Sequence, residues 1–125
     1  MKILVTGGAG FIGSAFVKLA IKNGHKVVIV DSLSYSGSRA NIDSIIGNKN
    51  LQFFEISINN KKGLYKAIEN TRPTVIVHLA AETHVDRSID DPRNFIQSNI
   101  VGVYNLLECF KKFSKKFKSK LIHIS

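Results

Sequence analysis

The sequence predicts an α/β fold: a parallel sheet of about five strands, covered by helices on both faces. Two observations predict it. Short runs rich in Val, Ile and Leu alternate with helical stretches along the whole chain. Strands that are apolar on every residue, rather than on alternate ones, are buried on both sides, as parallel strands are. In addition, a glycine-rich turn joins the first strand to the first helix, and the second strand ends on an acid.

The elements run in order along the chain. Residues 2–6 (KILVT) read as a buried strand ended by glycines. Residues 11–22 read as a helix with Ile12, Phe16, Leu19 and Ala20 at helical spacing. Residues 26–31 (KVVIVD) form a second strand. Residues 33–50 are rich in Ser, Gly and Asn and read as loop, with one helical turn near 42–46. Residues 51–56 form a third strand, and residues 61–70 a short helix with Leu64, Ala67 and Ile68 inward. Pro73 ends that helix, and residues 74–79 (TVIVHL) form a fourth strand. A long helix spans 92–118, with Asp91 as its N-cap and Pro92 at its first position. Its apolar residues Ile96, Ile100, Val103, Leu107 and Phe110 repeat at helical spacing, and Phe95, Leu106, Phe113 and Phe117 form a second flank. Residues 120–125 (KLIHIS) form a fifth strand.

Bulk properties bound the function. At 125 residues the chain is expected to be a single domain, 1–125. Its 44% apolar and 22% charged residues are ordinary for a globular protein. No apolar run approaches the ~18 residues of a membrane span. The opening MKILVTGGAG lacks the pattern of a signal peptide, so a cytoplasmic protein without membrane contact is expected. The one cysteine, Cys109, falls in an apolar helical pattern and reads as a small buried hydrophobe. No spacing of His, Asp and Glu resembles a metal site. The formal net charge of +9 suggests an anionic partner, either nucleic acid or a phosphate-bearing small molecule. Six lysines crowd into residues 111–120. They read as a solvated helix end whose charges suit the C-terminal dipole, rather than as a nucleic-acid patch.

The chemistry concentrates in Gly7-Gly8-Ala9-Gly10-Phe11-Ile12-Gly13. Gly7 permits a tight turn out of the strand, Gly10 lets backbone N–H groups approach a pyrophosphate, and Gly13 lets the helix lie close to the sheet. The helix N-terminus adds the positive end of its dipole. Asp31, at the end of the second strand, is positioned to accept from ribose hydroxyls and disfavours a 2′-phosphate. The pattern therefore predicts a Rossmann-type doubly wound sheet, strand order 3-2-1-4-5, that binds NAD rather than NADP.

The spacing G-x-x-G-x-x-G resembles the extended branch of the short-chain dehydrogenase/reductase superfamily, whose members act on nucleotide-sugars. Residues 79–88 (LAAETHVDRS), 31–37 (DSLSYSG) and 98–102 (SNIVG) narrow the resemblance to the dTDP-glucose 4,6-dehydratase family, over the whole chain. The resemblance implies backbone amides of Phe11 and Ile12 on the pyrophosphate, and Asp31, Ser32, Leu33 and Ser34 around the adenosine ribose. It implies Ser57 and Ile58 beside the adenine. Leu79, Ala80, Ala81, Glu82 and Thr83 would lie along the nicotinamide, with Ser98 approaching from the long helix. Thr83, His84 and Arg87 would face or shape the sugar site, with Asp86 in the same polar cluster. His78 reads as a core histidine.

Several positions depart from the family. Ser57 stands where an aspartate is usual, Ser32 where a lysine is, Ser38 where an Asn follows Tyr-x-Gly, and Asn60 where a second acid stands. These differences predict weak NAD binding. The family's catalytic Thr-Asp-Glu and Tyr-x-x-x-Lys groups, and its substrate domain, would follow Ser125. The chain is thus expected to be an NAD-binding portion of a nucleotide-sugar lyase, inactive alone, with no catalytic residue of its own. A nucleotide-sugar would bind only with the rest supplied. A portion of a UDP-sugar 4-epimerase, or a non-catalytic NAD- or partner-binding module, remains as an alternative. A homodimer is expected, through the flank centred on Leu106 or through the edge of the last strand.

Overall fold

The computed structural model describes residues 1–33, 38–79 and 92–124. Within them the chain runs β1 (Lys2–Thr6), α1 (Phe11–Lys22), β2 (Lys26–Val30), a 3-10 turn (Arg39–Ile42), β3 (Leu51–Phe54), α2 (Lys61–Thr71) and β4 (Val75–His78). It continues with α3 (Pro92–Ile96), a π-helical turn (Gln97–Val101), α4 (Gly102–Ser114) and β5 (Lys120–His123). The strands form one sheet in the order β3-β2-β1-β4-β5. Every neighbouring pair is parallel. This is the doubly wound order the sequence predicts, with the chain reversing direction across the sheet between β1 and β4.

Alternation along the strands feeds two cores. Leu4, Val28, Val30 and Ile76 point to one face, where Leu64, Ala67 and Ile68 of α2 and Leu106, Cys109 and Phe113 of α4 cover them. Ile3, Val5, Val27, Ile29 and Val77 point to the other, where Val17 and Ala20 of α1 and Ile42 of the 3-10 turn cover them. A strand's side chains alternate between faces, so a five-residue apolar run serves both layers at once. Each fully buried Leu, Ile or Phe stabilises the fold by about 1.5–3 kcal/mol.

Element ends differ from expectation for local reasons. β3 stops at Phe54 because Ile56 N donates back to Phe54 O at 3.0 Å, a tight turn that ends the extended chain. The helical turn lies at Arg39–Ile42 rather than 42–46, started by Ser38, whose Oγ accepts from Ala40 N at 3.2 Å. Asp91 lies outside the described residues.

Two helices turn a different face inward than their large apolar residues suggest. In α1, Ile12 and Leu19 are 70% and 58% exposed, while Gly13, Ser14, Val17 and Ala20 are buried. Small residues face the sheet because the helix lies very close to it. The long helix is interrupted by its π turn, which adds a residue to one turn and rotates the downstream helix by about 100°. In α4, Gly102, Leu106, Cys109 and Phe113 are buried, whereas Ile96, Ile100, Tyr104 and Leu107 form an exposed stripe. The expected outward flank is thus corrected: Leu106 and Phe113 belong to the chain's own core, and Phe117 packs at its margin. The side chain of Phe95 is not among those described.

Cys109 is buried, with Sγ 3.6 Å from Lys61 O, and burial pushes its thiol pKa up. Among the described residues, no helix is long and apolar enough to cross a membrane.

Candidate functional site: the glycine loop at the carboxyl edge of the sheet

The chain leaves β1 through Gly7, whose φ of 74° is the left-handed conformation that glycine adopts without strain. Gly7 N donates to Val30 O at 2.9 Å, and Gly10 N donates to Gly7 O at 3.1 Å, closing a compact loop. A Cβ built on Gly13 would lie 2.0 Å from Gly7 O, so no other residue allows this approach of helix to loop. Gly10 is the N-cap of α1 in an ordinary extended conformation, and no side chain caps the helix. The first turn of α1 carries no acid. The N–H groups that begin a helix have no partner within it, and among the described residues none accepts from Phe11 or Ile12, which leaves both for an anion at the positive end of the dipole. Their side chains are 86% and 70% exposed.

Asp31 is buried directly after β2. Its Oδ2 accepts from Ala9 N at 2.9 Å and its Oδ1 from Leu33 N at 2.7 Å. The second bond holds Leu33 at φ 59°, a left-handed backbone that costs a non-glycine residue about 1–2 kcal/mol. Each carboxylate oxygen keeps a further lone pair for a hydroxyl donor. Ser32 beside it is exposed.

On the far side of β1, Leu79 N donates to both Thr6 O (3.0 Å) and Thr6 Oγ1 (3.1 Å), which ties the exit of β4 to the exit of β1. His78 Nδ1 lies 2.6 Å from the same Thr6 Oγ1. His78 is 1% exposed, its ring centroid is 5.0 Å from that of His123, and among the described residues its Nε2 has no hydrogen-bond partner. Burial, with His123 adding to it, lowers its pKa to about 4. The ring is therefore a neutral core group, as its place in an apolar strand suggests.

The remaining positions divide. Ser57 Oγ accepts from Asn59 N at 3.0 Å, so its hydroxyl is engaged in a local turn. The side chain of Ile58 is buried in the core, and its carbonyl accepts from Asn105 Nδ2 at 3.1 Å. Ser98 belongs to the π turn, and its side chain is not among those described. Ser34, Ala80, Ala81, Glu82, Thr83, His84, Asp86 and Arg87 lie outside the described residues. The structure thus brings Gly7, Gly10, Phe11, Ile12, Gly13, Asp31 and Leu33 together, with Leu79 across β1. A cleft of about 410 Å³ between α2 and α4, lined by four lysines together with Glu69 and Glu108, shares no residue with this loop.

A family model described as GDP-mannose 4,6 dehydratase matches residues 4–125. The chain belongs to this family. Among curated relatives, the dTDP-glucose 4,6-dehydratase of Escherichia coli is 47% identical over 114 residues, covering 90% of this chain and 32% of that protein. Among solved structures, a double mutant of DesIV of Streptomyces venezuelae, a dTDP-glucose 4,6-dehydratase with NAD bound, superposes with TM-score 0.90 at 36% identity. That match covers 100% of this chain and 39% of DesIV. A UDP-glucose 4-epimerase from Thermotoga maritima superposes with TM-score 0.85 at 40% identity, over 98% of this chain and 37% of that one. The chain spans about a third of the length of the family relatives it matches, the third that holds the glycine loop.

Sequence reasoning missed Thr6, Asn41 and Asn105. Thr6 reads as the last residue of a strand and Asn105 as a helix-surface polar residue. Asn41 lies in a polar segment read as plain loop; its one signal is the adjacent Ile42, a large apolar residue that anchors the segment at 0% exposure.

Proposed function

We propose that this chain is the NAD-binding part of a dTDP-glucose 4,6-dehydratase, acting in the cytoplasm on nucleotide-sugars. The observation that carries the proposal is the uncapped N-terminus of α1 above the glycine loop, with the buried Asp31 carboxylate at the end of the neighbouring strand. The residues present fit a dinucleotide. A tight loop kept open by Gly13, free N–H groups on Phe11 and Ile12, and spare lone pairs on Asp31 match a pyrophosphate followed by a ribose diol. The same carboxylate repels a 2′-phosphate. When bound, NAD supplies the hydride acceptor for sugar oxidation. This chain's residues would hold the pyrophosphate and orient the ribose; by the resemblance, Ser57 and Ile58 would serve the adenine side, and Leu79, Ala80, Ala81, Glu82, Thr83 and Ser98 the nicotinamide side. With Ser57 neutral and bound into a turn, the adenine gains no charged acceptor, and affinity is modest. Thr83, His84 and Arg87 would meet the sugar. By the resemblance, the chemistry would also require the family's Thr-Asp-Glu and Tyr-x-x-x-Lys groups.

The same reading includes a homodimer. The stripe Ile96, Ile100, Tyr104 and Leu107 is exposed, and apolar surface gathered on one helix face is what pairing buries. The curated relatives favour a dehydratase over an epimerase, although the shared fold suits both. Amide chemical-shift mapping during titration with NAD tests the site. Shifts confined to residues 7–13 and 31–33 and to the exit of β4 support it. Shifts centred on the lysine cleft between α2 and α4 would contradict it.

A further inference from the structure

We infer that Asn41 is a positioning residue that fixes the glycine loop in its anion-binding shape before any ligand arrives. The inference rests on the reading of that loop as a dinucleotide site. Ala9, in the middle of the loop, is 0% exposed, and both of its peptide groups are held from outside the loop. Its N–H donates to Asp31 Oδ2 at 2.9 Å. Its carbonyl accepts twice, from Asn41 Nδ2 at 2.8 Å and from Ser38 N at 3.0 Å. Asn41 is itself held. It lies in the 3-10 turn that Ser38 caps, its N–H donates to Ser38 O at 3.1 Å, and its neighbour Ile42 is buried in the core under α1. The amide is thus presented on a rigid platform, not on a free loop.

The consequence is geometric. The Ala9 carbonyl shares a peptide plane with Gly10 N–H. Fixing that carbonyl aims Gly10 N–H at Gly7 O, where it bonds at 3.1 Å. The chain then enters α1 with the N–H groups of Phe11 and Ile12 unclaimed. Without the Asn41 amide, the Ala9–Gly10 plane rotates more freely, and a ligand must order the loop as it binds. Fixing backbone torsions carries an entropic cost that a prepared loop has already met. Asp31 cannot isolate this effect, since its carboxylate would also meet the ribose; the Asn41 side chain donates to the loop carbonyl of Ala9 and has no part in the proposed ribose contact.

The test compares wild type with Asn41→Leu, which keeps the shape without the donor and adds no charge, and with Asn41→Ala. Two readouts are taken on the folded chain: amide hydrogen exchange without ligand, and calorimetric titration with NAD. Exchange at Ala9 and Gly10 is expected to quicken about five- to tenfold in both variants, the size of one neutral hydrogen bond, while Leu4 and Val77 in the central strands stay protected. NAD affinity is expected to fall by about the same factor, with the loss in entropy. Unchanged exchange at Ala9 and Gly10, or a uniform rise that includes Leu4 and Val77, would overturn the inference. If wild type does not bind NAD, the dinucleotide reading fails, and the ligand-free exchange data still decide whether Asn41 holds the loop.

Discussion

Helices α1 and α4 leave large apolar residues exposed, and α2 does not. In α2, the large apolar residues Leu64 and Ile68 face the core, with Ala67 between them, as periodicity predicts. In α1 small residues make up much of the inward face and large apolar residues remain outside; in α4 Leu106 and Phe113 share the inward face with Gly102 and Cys109, and Leu107 remains outside. Gly13, Ser14, Val17 and Ala20 are buried while Phe11, Ile12 and Leu19 are exposed; Leu107 of α4 is exposed, in line with Ile96 of α3 and Ile100 of the π turn. A hydrophobic stripe on a helix therefore marks surface that is to be covered, and the cover need not be the chain's own core. At the N-terminus of α1, by Phe11 and Ile12, the proposed cover is a dinucleotide, and along α3 and α4 it is a second copy.

The largest effect expected from this contrast is at Leu106. Leu106→Lys places an ammonium in the core beside Phe113 and Leu64, and an uncompensated buried charge costs about 3–5 kcal/mol. Chemical denaturation should show a chain largely unfolded in water. A variant as stable as wild type would return Leu106 to the surface. Next is Gly13→Ala. The new Cβ meets the Gly7 carbonyl, backbone against backbone, so loop and helix must separate. A loss of about 3 kcal/mol is expected, together with loss of NAD binding. A normal melting temperature would mean that α1 approaches the loop less closely than the Gly13 geometry requires.

A smaller effect comes from His78. Its pKa falls from the ordinary 6.5 to about 4 on folding. The unfolded chain takes up a proton near pH 6.5, whereas the folded chain refuses it until pH 4. Stability from the neutral buried ring is present above pH 6.5 and is lost as pH falls toward 4, by up to about 3 kcal/mol. Urea midpoints measured at neutral and at mildly acid pH check this. A His78→Asn variant should flatten the dependence, and an equally steep slope in that variant would assign it to other groups. The smallest effect on stability is at Leu107, one residue from Leu106 and 51% exposed. Leu107→Lys should change stability by less than about 0.5 kcal/mol and yet convert a dimer to a monomer in light scattering. Together the neighbouring pair decides which flank pairs.

These contrasts show how much of the molecule is legible in its sequence. Strand order, the roles of Gly7 and Gly13, and the placing of Asp31 beside the loop come from local patterns: apolar runs, a turn that demands left-handed backbone, an acid ending a strand. The inward faces of α1 and α4 are not legible. Helical periodicity does not distinguish apolar residues that meet the sheet from apolar residues that meet a ligand or partner, and the π turn at Gln97–Val101 breaks the phase without a signal in composition. Asn41 is hidden for another reason: its bond to Ala9 O spans 32 residues, and neither partner belongs to a repeating pattern.

The central claim is that Gly7 to Gly13 and Asp31 form a site for a dinucleotide without a 2′-phosphate. Titration calorimetry with NAD and with NADP, under the same salt, tests it most directly. The account predicts a saturable one-to-one heat with NAD and at least tenfold weaker binding of NADP, because the buried Asp31 carboxylate meets a second anion there. Equal or tighter binding of NADP, or no heat with either, would contradict it.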